Sequence, residues 1–120
     1  MAEAVVTLPS VSVTQVITAN AGVDQIVEAA STVLLSAAQS IGFITDWAWT
    51  QTSGTAVTIN NDDAEIANFV APLSTTQLTL VFQVSLNSGS DTDSVTITVL
   101  KTPVTEKGGV TGPRVLYITV

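Results

Sequence analysis

Few side chains in this chain could carry chemistry. Asp62, Asp63 and Glu65 crowd into one short stretch, and Asp91 and Asp93 form a second close pair. Clustered carboxylates suit calcium, but that ion takes about six to eight oxygens in a closed cage, and no EF-hand loop pattern is present. Solvated turns are the preferred reading of both clusters. Asp46 is a lone carboxylate beside Trp47. Two facing carboxylates can hydrolyse glycosides, yet nothing else in the chain resembles such an enzyme. Trp47 and Trp49 are two residues apart, so on a strand they leave the same face. A pair of indoles there could stack on a sugar. The preferred reading instead makes Trp49 a core anchor and places Trp47 partly at a sheet edge. Cysteine and histidine are both absent from the 120 residues. That removes thiolate and imidazole chemistry and the commonest transition-metal ligands. The expectation is a chain with no catalytic residue, no cofactor and no metal.

The elements that position these groups are strands. Charged residues make up 11% of the chain and hydrophobic ones 46%. Thr, Ser, Asn and Gln supply the remaining polarity, a mixture that favours strands over solvated helices. So little charge fits either a surface largely covered by partners or a Thr/Ser-rich surface of secreted style. The tryptophans head the stretch DWAWTQTSGTAVTI, residues 46–59, which reads as strand, turn, strand. Thr52, Ser53, Gly54 and Thr55 form the turn cluster, and Val57 and Ile59 resume the alternation.

The rest of the chain follows the same period. Val11, Val13 and Ile17 alternate with polar residues and read as an extended arm over residues 1–18. Gln25–Glu28 and Thr32–Leu35 read as short strands. Residues 28–40 are the one place where alanine content argues for a helix, but serines interrupt it and large apolar groups lack helical spacing. Asn60 to Asp63 is an acidic turn, and Ile66–Val70 is a short strand stopped by Pro72. Leu78, Leu80, Phe82, Val84 and Leu86 give the cleanest period-two signal, with Val81 the outward exception. Across Asn87-Ser88-Gly89-Ser90, Val95, Ile97 and Val99 answer it, which makes a hairpin. The buried set this predicts contains Leu80, Phe82, Val84, Val95 and Ile97, beside Trp49 as the preferred core anchor. Short strands at regular spacing indicate an all-β sandwich. Residues 19–100 form that body, and residues 101–120 form a second arm ending in the strand-like run Val115, Leu116, Tyr117, Ile118, Thr119, Val120.

Net charge is −7, which argues against a nucleic-acid partner. The only cations, Lys101, Lys107 and Arg114, lie in the last twenty residues, where with Glu106 they give +2, against −9 for residues 1–100. Such a division could steer the tail of one copy towards the acidic body of another. The opening MAEAVVTLPSVSV lacks the basic and apolar regions of a secretory signal. No apolar run approaches the roughly 18 residues of a membrane helix, so no membrane partner is expected.

Residues 19–99 resemble the immunoglobulin-like domains of the polycystic-kidney-disease (PKD) and REJ group. The resemblance rests on ANAGVDQIVEAASTVLL, WAWTQTSGTAVTI, IANFVAP and LTLVFQVSLNSGSDTDSVTITV, in that order and spacing. It implies a two-sheet sandwich of about seven strands with Trp49 in the core, and it offers no catalytic site to carry over. Modules of this kind decorate phage heads and tails. The leading expectation is a structural virion protein, a phage head decoration protein assembled in the host cytoplasm. Its arms, through Val11, Val13, Ile17, Lys107, Arg114, Val115, Leu116, Tyr117 and Ile118, would bind capsid protein or other copies by strand addition; the rival reading has either arm extend the domain's own sheet. It would be a homo-oligomer or part of a larger assembly. The alternative is an adhesion module of a bacterial surface protein, extracellular, which binds glycan or protein through its loops.

Overall fold

The computed structural model of the chain describes residues 16–103. They form an immunoglobulin-like sandwich of six strands: β1 (Gln25–Val27), β2 (Thr32–Ser36), β3 (Trp47–Ser53), β4 (Ile66–Val70), β5 (Leu78–Leu86) and β6 (Asp91–Val99). One sheet has four strands in the order β1-β6-β5-β3, and the other pairs β2 with β4. β1 runs parallel to β6, and the remaining pairs are antiparallel.

Alternation decides which side chains go inside. Leu80, Phe82, Val84 and Leu86 on β5 and Val95, Ile97 and Val99 on β6 all point inward and are buried. β2 and β4 contribute Val33, Leu35, Ala67 and Phe69 from the facing sheet. Phe69 stacks on Phe82 with ring centroids 4.6 Å apart, which joins the two sheets through one aromatic contact. Trp49 is buried beside them, and no polar or charged residue among those described is. The stretch 28–40 is a strand between turns rather than a helix.

Three expectations need correction. Val57 and Ile59 do not form a return strand; they lie in irregular chain and pack half-buried on the core. Gln51 explains this. Its Nε2 donates to the carbonyls of Ser53 and Thr55, and its Oε1 accepts from the Val57 N–H at 3.0 Å. One side chain thereby supplies the partners a neighbouring strand would have supplied. Ile17 is not free for a partner, because it packs against this chain's own core, and Thr18 bridges Ile41 through two backbone hydrogen bonds. The body therefore begins before residue 19. The other proposed arm residues, Val11, Val13, Lys107, Arg114, Val115, Leu116, Tyr117 and Ile118, lie outside the described residues.

The sandwich has two distinct ends. Thr18, Ile41 and the turn after Leu86 lie at one, where the Asn87 side chain reaches Phe43 and Ala19 meets Asp91. At the other, Leu100 donates to the Val27 carbonyl and Thr102 to that of Ser74. The nine residues of β6 separate them, about 30 Å at roughly 3.3 Å per residue. The chain thus enters the body at one pole and leaves it at the opposite pole.

Candidate interaction site

Of the carboxylates that could have held a metal, Asp91 and Asp93 are engaged in holding backbone. Asp91 Oδ2 accepts from the Ala19 N–H at 2.8 Å and Asp93 Oδ2 from the Ala21 N–H at 2.7 Å. Asp24 Oδ1 accepts from the Thr96 N–H at 2.9 Å. Each is a charge-assisted bond, shorter and stronger than a neutral one. Together they seat residues 19–24 along β6, and the parallel ladder takes over at Gln25. Asp62 and Asp63 are exposed on the turn after Asn60, and Glu65 is exposed beside it. Asp62 acts through its main chain, its carbonyl accepting from the Trp49 N–H at 2.8 Å. Among the described residues no three acidic side chains gather as a metal site. Millimolar calcium should accordingly move the melting temperature little. A rise of several degrees that EDTA reverses would reveal a native-state ion and overturn that placement.

The tryptophans make no exposed platform. Trp49 is buried, and its Nε1 donates to the Ala64 carbonyl at 3.0 Å. Trp47 is half-buried against the core, opposite Leu86 on β5. Its Nε1 is buried without an acceptor among the described residues. Leu80, Phe82, Val84, Val95 and Ile97 lie in the interior with Trp49.

The surface feature that stands out is apolar. At the pole where the chain enters, Val16, Ile41 and Phe43 are 72%, 66% and 67% exposed. The isolated antiparallel bridge Thr18↔Ile41 brings the chain before Thr18 alongside the loop that carries Phe43. The loop that carries Phe43 is held by one side chain. Asn87 Oδ1 accepts from the Thr45 N–H at 2.7 Å and the Asp46 N–H at 3.2 Å, and Nδ2 donates to the Phe43 carbonyl at 2.9 Å. Asp46 answers by accepting from the Ser88 N–H at 3.0 Å. The clasp ties the loop 41–46 to the β5–β6 turn, so the pole presents its apolar groups on a fixed frame. Apolar groups are also exposed on the β2–β4 sheet, where Leu34, Ile66 and Val70 face outward, with Val23 beside an open groove of about 310 Å³.

Sequence reasoning missed the pole. Ile41-Gly42-Phe43-Ile44 is an apolar run in a loop, and such a run marks a contact surface only once it is seen to stay outside. Asn87 read simply as a turn residue.

Comparisons with known proteins agree with this architecture. A family model described as K319L-like, PKD domain matches residues 21–99. No curated protein matches the chain. Among solved structures, the PKD domain from KIAA 1837 protein superposes with a TM-score of 0.59 at 18% identity, covering 83% of this chain and all of that one. A nucleoside hydrolase-related hypothetical protein from Saccharophagus degradans, associated with carbohydrate metabolism, gives 0.50 at 17% identity over 72% of this chain. A sialyltransferase from Photobacterium damsela gives 0.50 at 22% identity over 68%. The chain spans only 25% and 18% of those two proteins, so the likeness is of fold. With the model match over most of its length, the chain belongs to the K319L-like PKD domain family.

Proposed function

We propose that this protein is a structural module that works by holding other protein chains and not by catalysis, and that its setting is a virion, where it decorates a phage head. The observation that carries the reading is the exposed apolar pole at Val16, Ile41 and Phe43. Monomeric domains rarely expose clustered large apolar groups on a fixed frame without a partner. The polar inventory points the same way, since Asp24, Asp46, Asp91 and Asp93 each hold a backbone N–H. Strand-like sequence at both ends adds arms that could pair with neighbours. The same pole would serve an adhesion module within a longer surface chain. That second reading is favoured by the two bacterial matches, in which this fold is a fraction of a larger protein.

The test uses particles from the source phage, imaged in negative stain with an antibody to this chain. The expected result is regular labelling of the head. Deleting residues 109–120 should leave the melting temperature within a few degrees of the parent and abolish particle binding. Unlabelled particles, together with binding to a glycan array or to cells, would replace the virion reading with the adhesive one. A deletion that fails to fold while the parent runs as a monomer would place that segment in the chain's own core.

A further inference from the structure

We infer that the apolar pole is an acceptor site for the C-terminal hexapeptide Val115–Val120 of a second copy, so that the chain associates head to tail. The inference rests on the reading above, that the arms mediate assembly, and adds where one of them docks. Polarity is the first argument. The pole that exposes Val16, Ile41 and Phe43 is the one where the chain enters, while Thr102 and Pro103 leave from the far end beside Ser74. In a row of copies, the tail of one therefore emerges next to the apolar pole of the following one. To reach its own pole, the tail would have to run back some 30 Å along the sandwich. Residues 104–114 span at most about 36–40 Å, so the connection would be stretched almost straight, at an entropic cost the neighbour's pole does not impose.

Chemistry is the second argument. Val115, Leu116, Tyr117 and Ile118 place apolar groups on both alternations of an extended chain, so one face remains to be covered whichever way it lies. The pole offers apolar side chains of matching kind. Charge is the third. Lys107 and Arg114 precede the hexapeptide in a segment of +2, and residues 1–100 carry −9. Approach of a tail to another copy is therefore favourable at long range and weakened by salt. A contact between two different surfaces is heterologous, and it builds rings or open rows rather than closed two-fold dimers.

Two single-defect variants test this. Phe43→Asp keeps the tail and spoils the pole. Deletion of 109–120 keeps the pole and removes the tail. Sedimentation of the unaltered chain should show concentration-dependent growth beyond a dimer. Each variant alone should sediment as a monomer, and an equal mixture of the two should give a dimer and nothing larger. Ile41→Asp should behave as Phe43→Asp does, and both should melt with the parent because these side chains are largely exposed. If Phe43→Asp and Ile41→Asp grow like the parent, the acceptor lies elsewhere and the inference is wrong. A dimer formed by the tail-deleted chain alone would mean that pole meets pole, which also overturns it. A parent that stays monomeric yet binds particles through its tail would overturn the head-to-tail contact and leave the assembly reading standing. A parent that does neither would remove both.

Discussion

Trp49→Ala should lower the unfolding free energy by about 3–5 kcal/mol, the range for deleting a large buried aromatic. Natural domains are stable by only about 5–15 kcal/mol, so the variant should melt far below the parent or fail to fold. The size of the effect follows from where the ring sits. Trp49 is 2% exposed, faces Val84 across the β3–β5 ladder, and fastens its indole N–H to Ala64 in the turn before β4. Removing it opens a cavity between the sheets and leaves the Ala64 carbonyl without that donor. Trp47→Ala should cost clearly less. That ring is half-buried, and its removal takes away a donor that has no acceptor among the described residues, where an unmade bond is itself unfavourable. Thermal melts of both purified variants decide the matter. Small and equal losses would show that neither ring anchors the core.

The contrast between these residues shows how far the sequence reaches. The β5–β6 hairpin was legible because it depends on local alternation: Leu80, Phe82 and Val84 must share a face whatever else the chain does. Alternation alone puts Trp47 and Trp49 on one face, and it was the family resemblance that implied Trp49 as the core ring. Alternation also misled. Val57 and Ile59 keep the period but not the strand, because the Gln51 side chain occupies the bonds a strand would make. The boundary of the body was misplaced for a related reason. The period that begins at Val11 continues through Ile17, and nothing in it marks the residue at which the chain meets its own core. The role of the acidic residues was out of reach. Asp91 and Asp93 bond to residues 72 positions away, and a carboxylate holding a distant N–H looks in sequence like one that could hold calcium. The apolar pole was hidden for the opposite reason: Ile41 and Phe43 have the composition of core residues, and only the fold shows that they stay outside.

Gly54→Ala is the second substitution expected to have a large effect, about 2–5 kcal/mol. Gly54 follows the end of β3 at φ +96°, a conformation that an L side chain rarely adopts, and the left-handed side of the map costs a residue with a Cβ roughly 1–2 kcal/mol. Space adds to this. A Cβ there would stand 2.5 Å from the Thr79 carbonyl oxygen, 2.6 Å from Leu80 Cδ2 and 3.0 Å from Leu80 Cα. Two of those atoms are backbone of β5, so relief requires β3 and β5 to shift apart, and overpacking of this kind typically costs about 1–3 kcal/mol more. The chain contains its own control. Gly89, in the β5–β6 turn, has φ +101° and nothing within 4 Å of an added Cβ. Gly89→Ala bears the conformational cost alone, so chemical denaturation of the two variants should separate them by the steric part, with Gly54→Ala the less stable. Equal losses would mean that β5 yields freely beside Gly54, and that the close approach of the chain after β3 does not hold the sheet edge in place.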